Sequence, residues 1–230
     1  MRTSIKTFTA ILILGVSCTA FGAGGGEMPR TMGSDPNNHR ELSPEDQARS
    51  QYNSAVRAVE KADSVSADAA RQTDAKKQAK LADKANGIYV GALKKFVRAT
   101  ELNPGMHEAW NYVGYTNRRL GHFEAALTAY DRALSLKPGY PEAIEYRGHA
   151  YLGLNRLSEA KEAYLTLYAG NRKLASQLLT AMQGWVGTHR GNADGVDGAM
   201  VESFASWVSE RGTIAGQTAS LTREGAAAAW

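Results

Sequence analysis

Five histidines, one cysteine and scattered carboxylates are the residues with which this 230-residue chain could do chemistry. His39, His107, His122, His149 and His189 share no metal-ligand spacing, so no pair of imidazoles sits a helical turn apart to grip one ion. Cys18 lies in an apolar N-terminal stretch expected to be removed or lipidated, which leaves no thiol nucleophile, and no Gly-x-Ser-x-Gly elbow occurs. Glu142 and Glu145 form a carboxylate pair only in the sense that charges three apart share a helix surface, where solvation is their ordinary fate. Asn192, Asp194 and Asp197 suggest calcium, yet no register puts oxygen ligands at positions one, three and five with a Gly at six. The Gly24–Gly26 run has no Lys-Ser/Thr after it and no strand before it, so it does not read as a phosphate loop. These patterns predict no enzyme, no metal and no cofactor.

The elements that position the remaining residues are helical. Six prolines and abundant Ala, Leu, Lys and Glu favour helix over sheet, and 43% hydrophobic residues suffice for a core. Residues 1–22 have the layout of a bacterial secretory leader: Arg2 and Lys6, an apolar run from Phe8 to Val16, then small residues with cleavage favoured after Gly22. In the alternative, "LGVSC" is a weak lipobox and Cys18 becomes a lipid-anchored N-terminus. Either way the expected location is exported, periplasmic or membrane-anchored. The formal charge of +4 falls to about +2 without Arg2 and Lys6, which excludes a nucleic-acid reading on charge alone. Residues 23–42 read as a flexible linker rich in Gly, Pro, Asn and Asp. A helix is expected over 43–72, capped by Ser43 with Pro44, Glu45 and Asp46 in its first turn, and with Tyr52, Ala55, Val56 and Val59 on one face. The polar stretch from Ser64 to Thr73 is either a turn or a continuation of that helix.

Residues 107–140 carry a 34-residue pattern: Trp110, Gly114, Ala126, Tyr130, Ala133 and Pro138 at positions 4, 8, 20, 24, 27 and 32. A shift of 34 back brings Ala92, Phe96, Ala99 and Pro104 onto the last four positions, though Lys76 and Lys80 stand where Trp and Gly belong. A shift forward matches Gly148, Tyr151, Ala160 and Tyr164, with Leu167 and Arg172 replacing the Ala and Pro. The pattern resembles the tetratricopeptide repeat, with Asn117 departing where the family prefers Tyr. The resemblance implies an all-α fold, a short right-handed helical solenoid of helix-turn-helix units over 73–106, 107–140 and 141–173, flanked by capping helices over 174–212 and a flexible tail over 213–230. Gly114 and Ala126 are small where two helices must approach, and Trp110, Leu127 and Tyr130 fill the space beside them.

The resemblance also implies a concave groove lined by the first helix of each unit. Carried onto this sequence, the candidate partner-binding residues are Lys77, Asn111, Tyr112, Tyr115, Arg118, Arg119, Tyr146 and His149, with Lys84, Glu145 and Leu152 beside them. Tyr with Arg and Asn suits recognition of a protein partner's peptide or helix, because it offers stiff apolar area with hydrogen bonding. A small ligand or glycan in the same Tyr-lined groove is the alternative. Chaperone-binding members hold an acidic C-terminal tail with Lys and Asn at fixed positions. Here those positions carry Leu81, Tyr112, Glu142 and Tyr146, and only Lys77 agrees, so that clamp is not expected.

Overall fold

The computed structural model describes residues 42–191 and 196–227, with side chains as far as 218 in the last helix. The leader, Cys18, the linker up to residue 41, Asn192, Asp194 and Trp230 lie outside the described residues. Eight helices, and no strand among the described residues, follow one another: α1 (Pro44–Ala70), α2 (Ala75–Leu102), α3 (His107–Arg119), α4 (Phe123–Leu136), α5 (Pro141–Gly153), α6 (Leu157–Gly170), α7 (Arg172–His189) and α8 (Gly198–Ala227). Each packs on the next in chain order, α7 on α8 included. In addition α3 touches α5 and α5 touches α7, so the first helices of successive pairs form a continuous inner layer. The fold is an all-α solenoid, as the resemblance implies. No described helix is long and apolar enough to cross a membrane.

Helix starts follow local chemistry. The Ser43 hydroxyl accepts the Asp46 N–H at 3.1 Å, and Asp74 accepts the Lys77 N–H at 2.9 Å, which satisfies donors that an α-helix leaves unpaired. The α3–α4 turn passes through Gly121 at φ +81°, a conformation that glycine adopts without strain. Thirty-four residues on, Asn155 takes the same left-handed place at φ +56°, and its Oδ1 accepts the Trp185 indole N–H at 3.1 Å. Asn171 closes α6 and opens α7 at once: its N–H donates to the Leu167 carbonyl at 2.6 Å and its Oδ1 accepts the Leu174 N–H at 3.1 Å.

Two expectations need correction, and one open alternative is decided. Residues 73–106 are not a helix-turn-helix unit, because α2 runs unbroken through Gly87, the position equivalent to Gly121. Lys76 and Lys80 supply no apolar face to fold back, whereas Ala85, Tyr89, Ala92 and Phe96 form one buried stripe across the would-be turn. That stripe packs on Ala55, Val59 and Ala62 of α1, so α1 supplies the inner helix of the first pair. The polar stretch after Ser64 continues α1 as far as Ala70, with Ala69 buried. The tail expected from 213 is helical through Ala227, and Thr218 Oγ1 meets the Tyr168 hydroxyl at 3.2 Å.

Small residues set the helix spacing. A Cβ on Gly114 would stand 2.5–2.8 Å from the Tyr130 ring carbons, and one on Gly148 would stand 2.6 Å from a Leu178 methyl of the next pair. Ala126, Ala133, Ala143, Ala150 and Ala160 are all fully buried at the crossings. Gly114→Ala is expected to lower unfolding stability by about 1–3 kcal/mol, because the rigid Tyr130 ring must move. Gly184→Ala, inside α7 and facing open space, should raise it by about 0.5–1 kcal/mol. Urea titration of both variants checks the pair, and equal shifts would contradict the close approach.

Candidate functional site

The inner layer carries an unbroken band of rings. Tyr52 on α1 meets Phe96 and Tyr112 edge-on at 5.8 and 5.6 Å, and Phe96 stacks on Tyr112 at 4.9 Å. Tyr112 leads to Tyr115 at 6.0 Å, Tyr115 to Tyr146 of α5 at 5.1 Å, and Tyr146 to the buried Tyr130 at 6.4 Å. Tyr52, Tyr112, Tyr115 and Tyr146 are only half-buried, so the band presents ring area to solvent on the inner face. Helical spacing explains the band: residues 112 and 115 share a face of α3, and the 34-residue repeat puts 146 on the same face of α5.

Asp63, its side chain 35% exposed, is the polar hub beside this band. Its carboxylate accepts both the Tyr89 hydroxyl and an Arg119 guanidinium N–H, and the Tyr115 hydroxyl lies 2.8 Å from each carboxylate oxygen. Arg119 also donates to the Tyr115 oxygen at 3.1 Å and stands over the Tyr89 ring at 4.9 Å. One carboxylate therefore ties α1, α2 and α3 together. Burial alone would lower the Arg119 guanidinium, but Tyr115, Tyr89 and Asp63 outweigh it and hold it above its ordinary value. Burial and the hydrogen bond to Asp63 push Tyr115 up to about 12. Burial, with Glu142 and Glu108 nearby, pushes Tyr140 up to about 12. Tyr52, Tyr89, Tyr130 and Tyr146 are raised as well, burial being the largest cause in each.

Five of the eight candidate residues come together here: Tyr112, Tyr115, Arg118, Arg119 and Tyr146. Within this group Arg119 and Tyr115 spend their polar groups on Asp63, while Arg118 lies over the Tyr115 and Tyr146 rings at 5.1 and 5.5 Å. Asn111 is on the same helix but 98% buried, at 2% exposure, and its Oδ1 has no hydrogen-bond partner among the described residues. His149 is occupied, with Nε2 at 2.7 Å from Oε1 of Glu145. Glu145 and Leu152, expected beside the groove, are buried instead, Leu152 in the C-terminal core. Lys77 does not join the site. It stands exposed in the first turn of α2, the outer helix of its pair, as Lys84 does further along, because α1 rather than 73–86 fills the inner layer.

Sequence reasoning missed Asp63, Tyr89 and Tyr140 as site residues and assigned Tyr52 only to a packing face. A signal for Asp63 existed: it follows Tyr52, Ala55, Val56 and Val59 at helical spacing, so a charge falls on an otherwise apolar stripe. Asn117, the departure from the repeat pattern, is structural, since its Nδ2 donates to the Val113 carbonyl at 2.9 Å.

Comparison with known proteins agrees with this geometry over the α3–α4 pair. Residues 107–140 match the tetratricopeptide repeat family. The matched repeat spans α3 and α4 from the first residue of α3 to Tyr140 at the start of α5. Among solved structures, the first TPR of Spaghetti (RPAP3) bound to HSP90 peptide SRMEEVD is 25% identical, with 43% of this chain and 80% of that chain covered and a TM-score of 0.38. No curated protein matches the chain.

The raised phenols generate a pH prediction. In the fold these groups hold their protons to a higher pH than in the unfolded chain. Between roughly pH 10 and about 12 the folded state therefore binds more protons, and stability falls as pH rises through that window. Tyr168, lowered by its hydrogen bond with Thr218, ionises first, and the absorbance of the raised tyrosines is expected to follow in one cooperative step together with loss of helical circular dichroism. Ionisation of the raised tyrosines near pH 10 with the helices intact would contradict it.

Proposed function

We propose that this chain is a non-catalytic protein-interaction scaffold of the bacterial cell envelope, and that the inner face of α1, α3 and α5 binds a peptide or helix of a protein partner. The observation that carries the reading is the half-buried aromatic band Tyr52–Tyr112–Tyr115–Tyr146, continuous across three helices. Large rings with few rotatable bonds lose little entropy on binding, and their hydroxyls offer directional contacts. The Asp63 hub fixes the band before any ligand arrives, which lowers the ordering cost of association. The match of residues 107–140 to the tetratricopeptide repeat is consistent with such a surface. The envelope assignment rests on the leader-like layout of residues 1–22, and lipidation of Cys18 is the variant of it that "LGVSC" favours.

Replacing Tyr115 or Arg119 would break the Asp63 hub and confuse folding with binding. A photo-crosslinking amino acid at Tyr112 on the inner face, and separately at Lys94 on the exposed side of α2, keeps the hub intact. In cells that make the protein, discrete protein adducts are expected from position 112 and none from position 94. Adducts from 94 alone, or from neither, would overturn the groove reading. Mass spectrometry of the mature N-terminus separates a cleaved chain from a lipidated one.

A further inference from the structure

Four arginines among the described residues are half-buried: Arg118, Arg119, Arg147 and Arg211. Arg119 pairs with Asp63, Arg147 with Asp131 at 2.8 Å, and Arg211 with Glu210 at 3.3 Å. Arg118 alone of the four has no ion-pair partner among the described residues, and its buried Nε finds no hydrogen-bond acceptor there. Its guanidinium lies over both the Tyr115 and Tyr146 rings, which themselves meet edge-on, and its charge and hydrogen bonding offset part of the upward shift of the buried Tyr130 phenol. Glu145, the acidic residue on the facing turn of α5, has its Oε1 on His149. The fold thus partly desolvates a cation beside two rings and the neutral Tyr130 hydroxyl, and supplies it no carboxylate among the described residues. A half-buried charge without a counter-ion is costly unless something supplies one.

We propose that Arg118 is the groove's carboxylate reader, and that the partner segment presents an internal Asp or Glu side chain to it with an apolar residue alongside on Tyr112 and Tyr146. The inference rests on the groove reading above and names the ligand's chemistry. A planar guanidinium matches a carboxylate through two parallel N–H···O bonds, which a lysine in the same place could not form. The two adjacent arginines therefore divide their work. Arg119 is a positioning residue whose charge is neutralised within the fold, and Arg118 faces the ligand.

The test is a phage-displayed dodecapeptide library panned on the purified full chain, in which no displayed peptide has a free C-terminus. Enriched sequences are then synthesised with amidated C-termini and titrated by fluorescence anisotropy. An aligned Asp or Glu next to an apolar residue is expected. Arg118→Gln should weaken these peptides roughly tenfold or more, the peptide's own Glu→Gln should do the same on the unaltered chain, and the two together should weaken binding little further. Arg118→Lys should recover only part of the loss. The peptide-side substitution reads the contact even if Arg118→Gln unfolds. Enriched peptides without an acidic position, or equal binding to Arg118→Gln, overturn the carboxylate assignment and leave the groove reading standing. A library that yields no binder overturns both.

Discussion

One carboxylate on an apolar stripe decides how this protein is assembled. Asp63 stands on α1 where the periodicity of Tyr52, Ala55, Val56 and Val59 calls for another apolar side chain. A charge there would be expelled to solvent unless it were paired and hydrogen-bonded, and Arg119, Tyr115 and Tyr89 meet that demand from two other helices. Satisfying Asp63 fixes the rotation of α3 about its own axis. That rotation in turn decides that Tyr112, Tyr115 and Arg118 share the inner face. The hub is thus a structural group that sets the geometry of the proposed binding surface.

Elsewhere the architecture is governed by absence of bulk. Gly114 and Gly148 stand where any Cβ would collide with Tyr130 or Leu178, and a run of fully buried alanines lines the crossings. Large rings occupy the spaces that small residues leave, so Tyr89, Tyr130 and Tyr164 are almost wholly enclosed although each carries a hydroxyl. The same residue type therefore has two uses in one fold. Tyr89, Tyr130 and Tyr164 in the outer helices are core, Tyr168 of α6 is partly exposed, and Tyr in the inner helices is half-exposed surface.

That division was readable at the 34-residue spacing, which separates Tyr130 and Tyr164 from Tyr112 and Tyr146 before any coordinates. The α3–α4 and α5–α6 pairs were legible because small, aromatic and turn residues all recur at fixed positions there. The N-terminal pair was not, because its second helix keeps the repeat pattern while its first helix comes from outside the repeat, in α1. A local pattern cannot say which distant segment covers it. Arg118 and Arg119 were equally undifferentiated, since only the position of Asp63, about 55 residues away in sequence, tells a guanidinium paired with a carboxylate from one that is not. Helix beyond residue 213 was missed because small polar residues leave no stripe, although their propensity does not oppose a helix.

Asn171 has a consequence for how the chain tolerates change in length. At the α3–α4 and α5–α6 turns several residues separate the helices, so one residue more or less is absorbed in the loop. Between α6 and α7 a single residue is both the end of one helix and the start of the next. Adding or removing one residue there would swing α7 by roughly 100° about its axis, carrying Leu178, Met182 and Trp185 from the core toward water. The joint acts as a phase lock between the repeats and everything C-terminal to them. Related chains of different length are expected to place their insertions at the looser turns and to leave this one untouched.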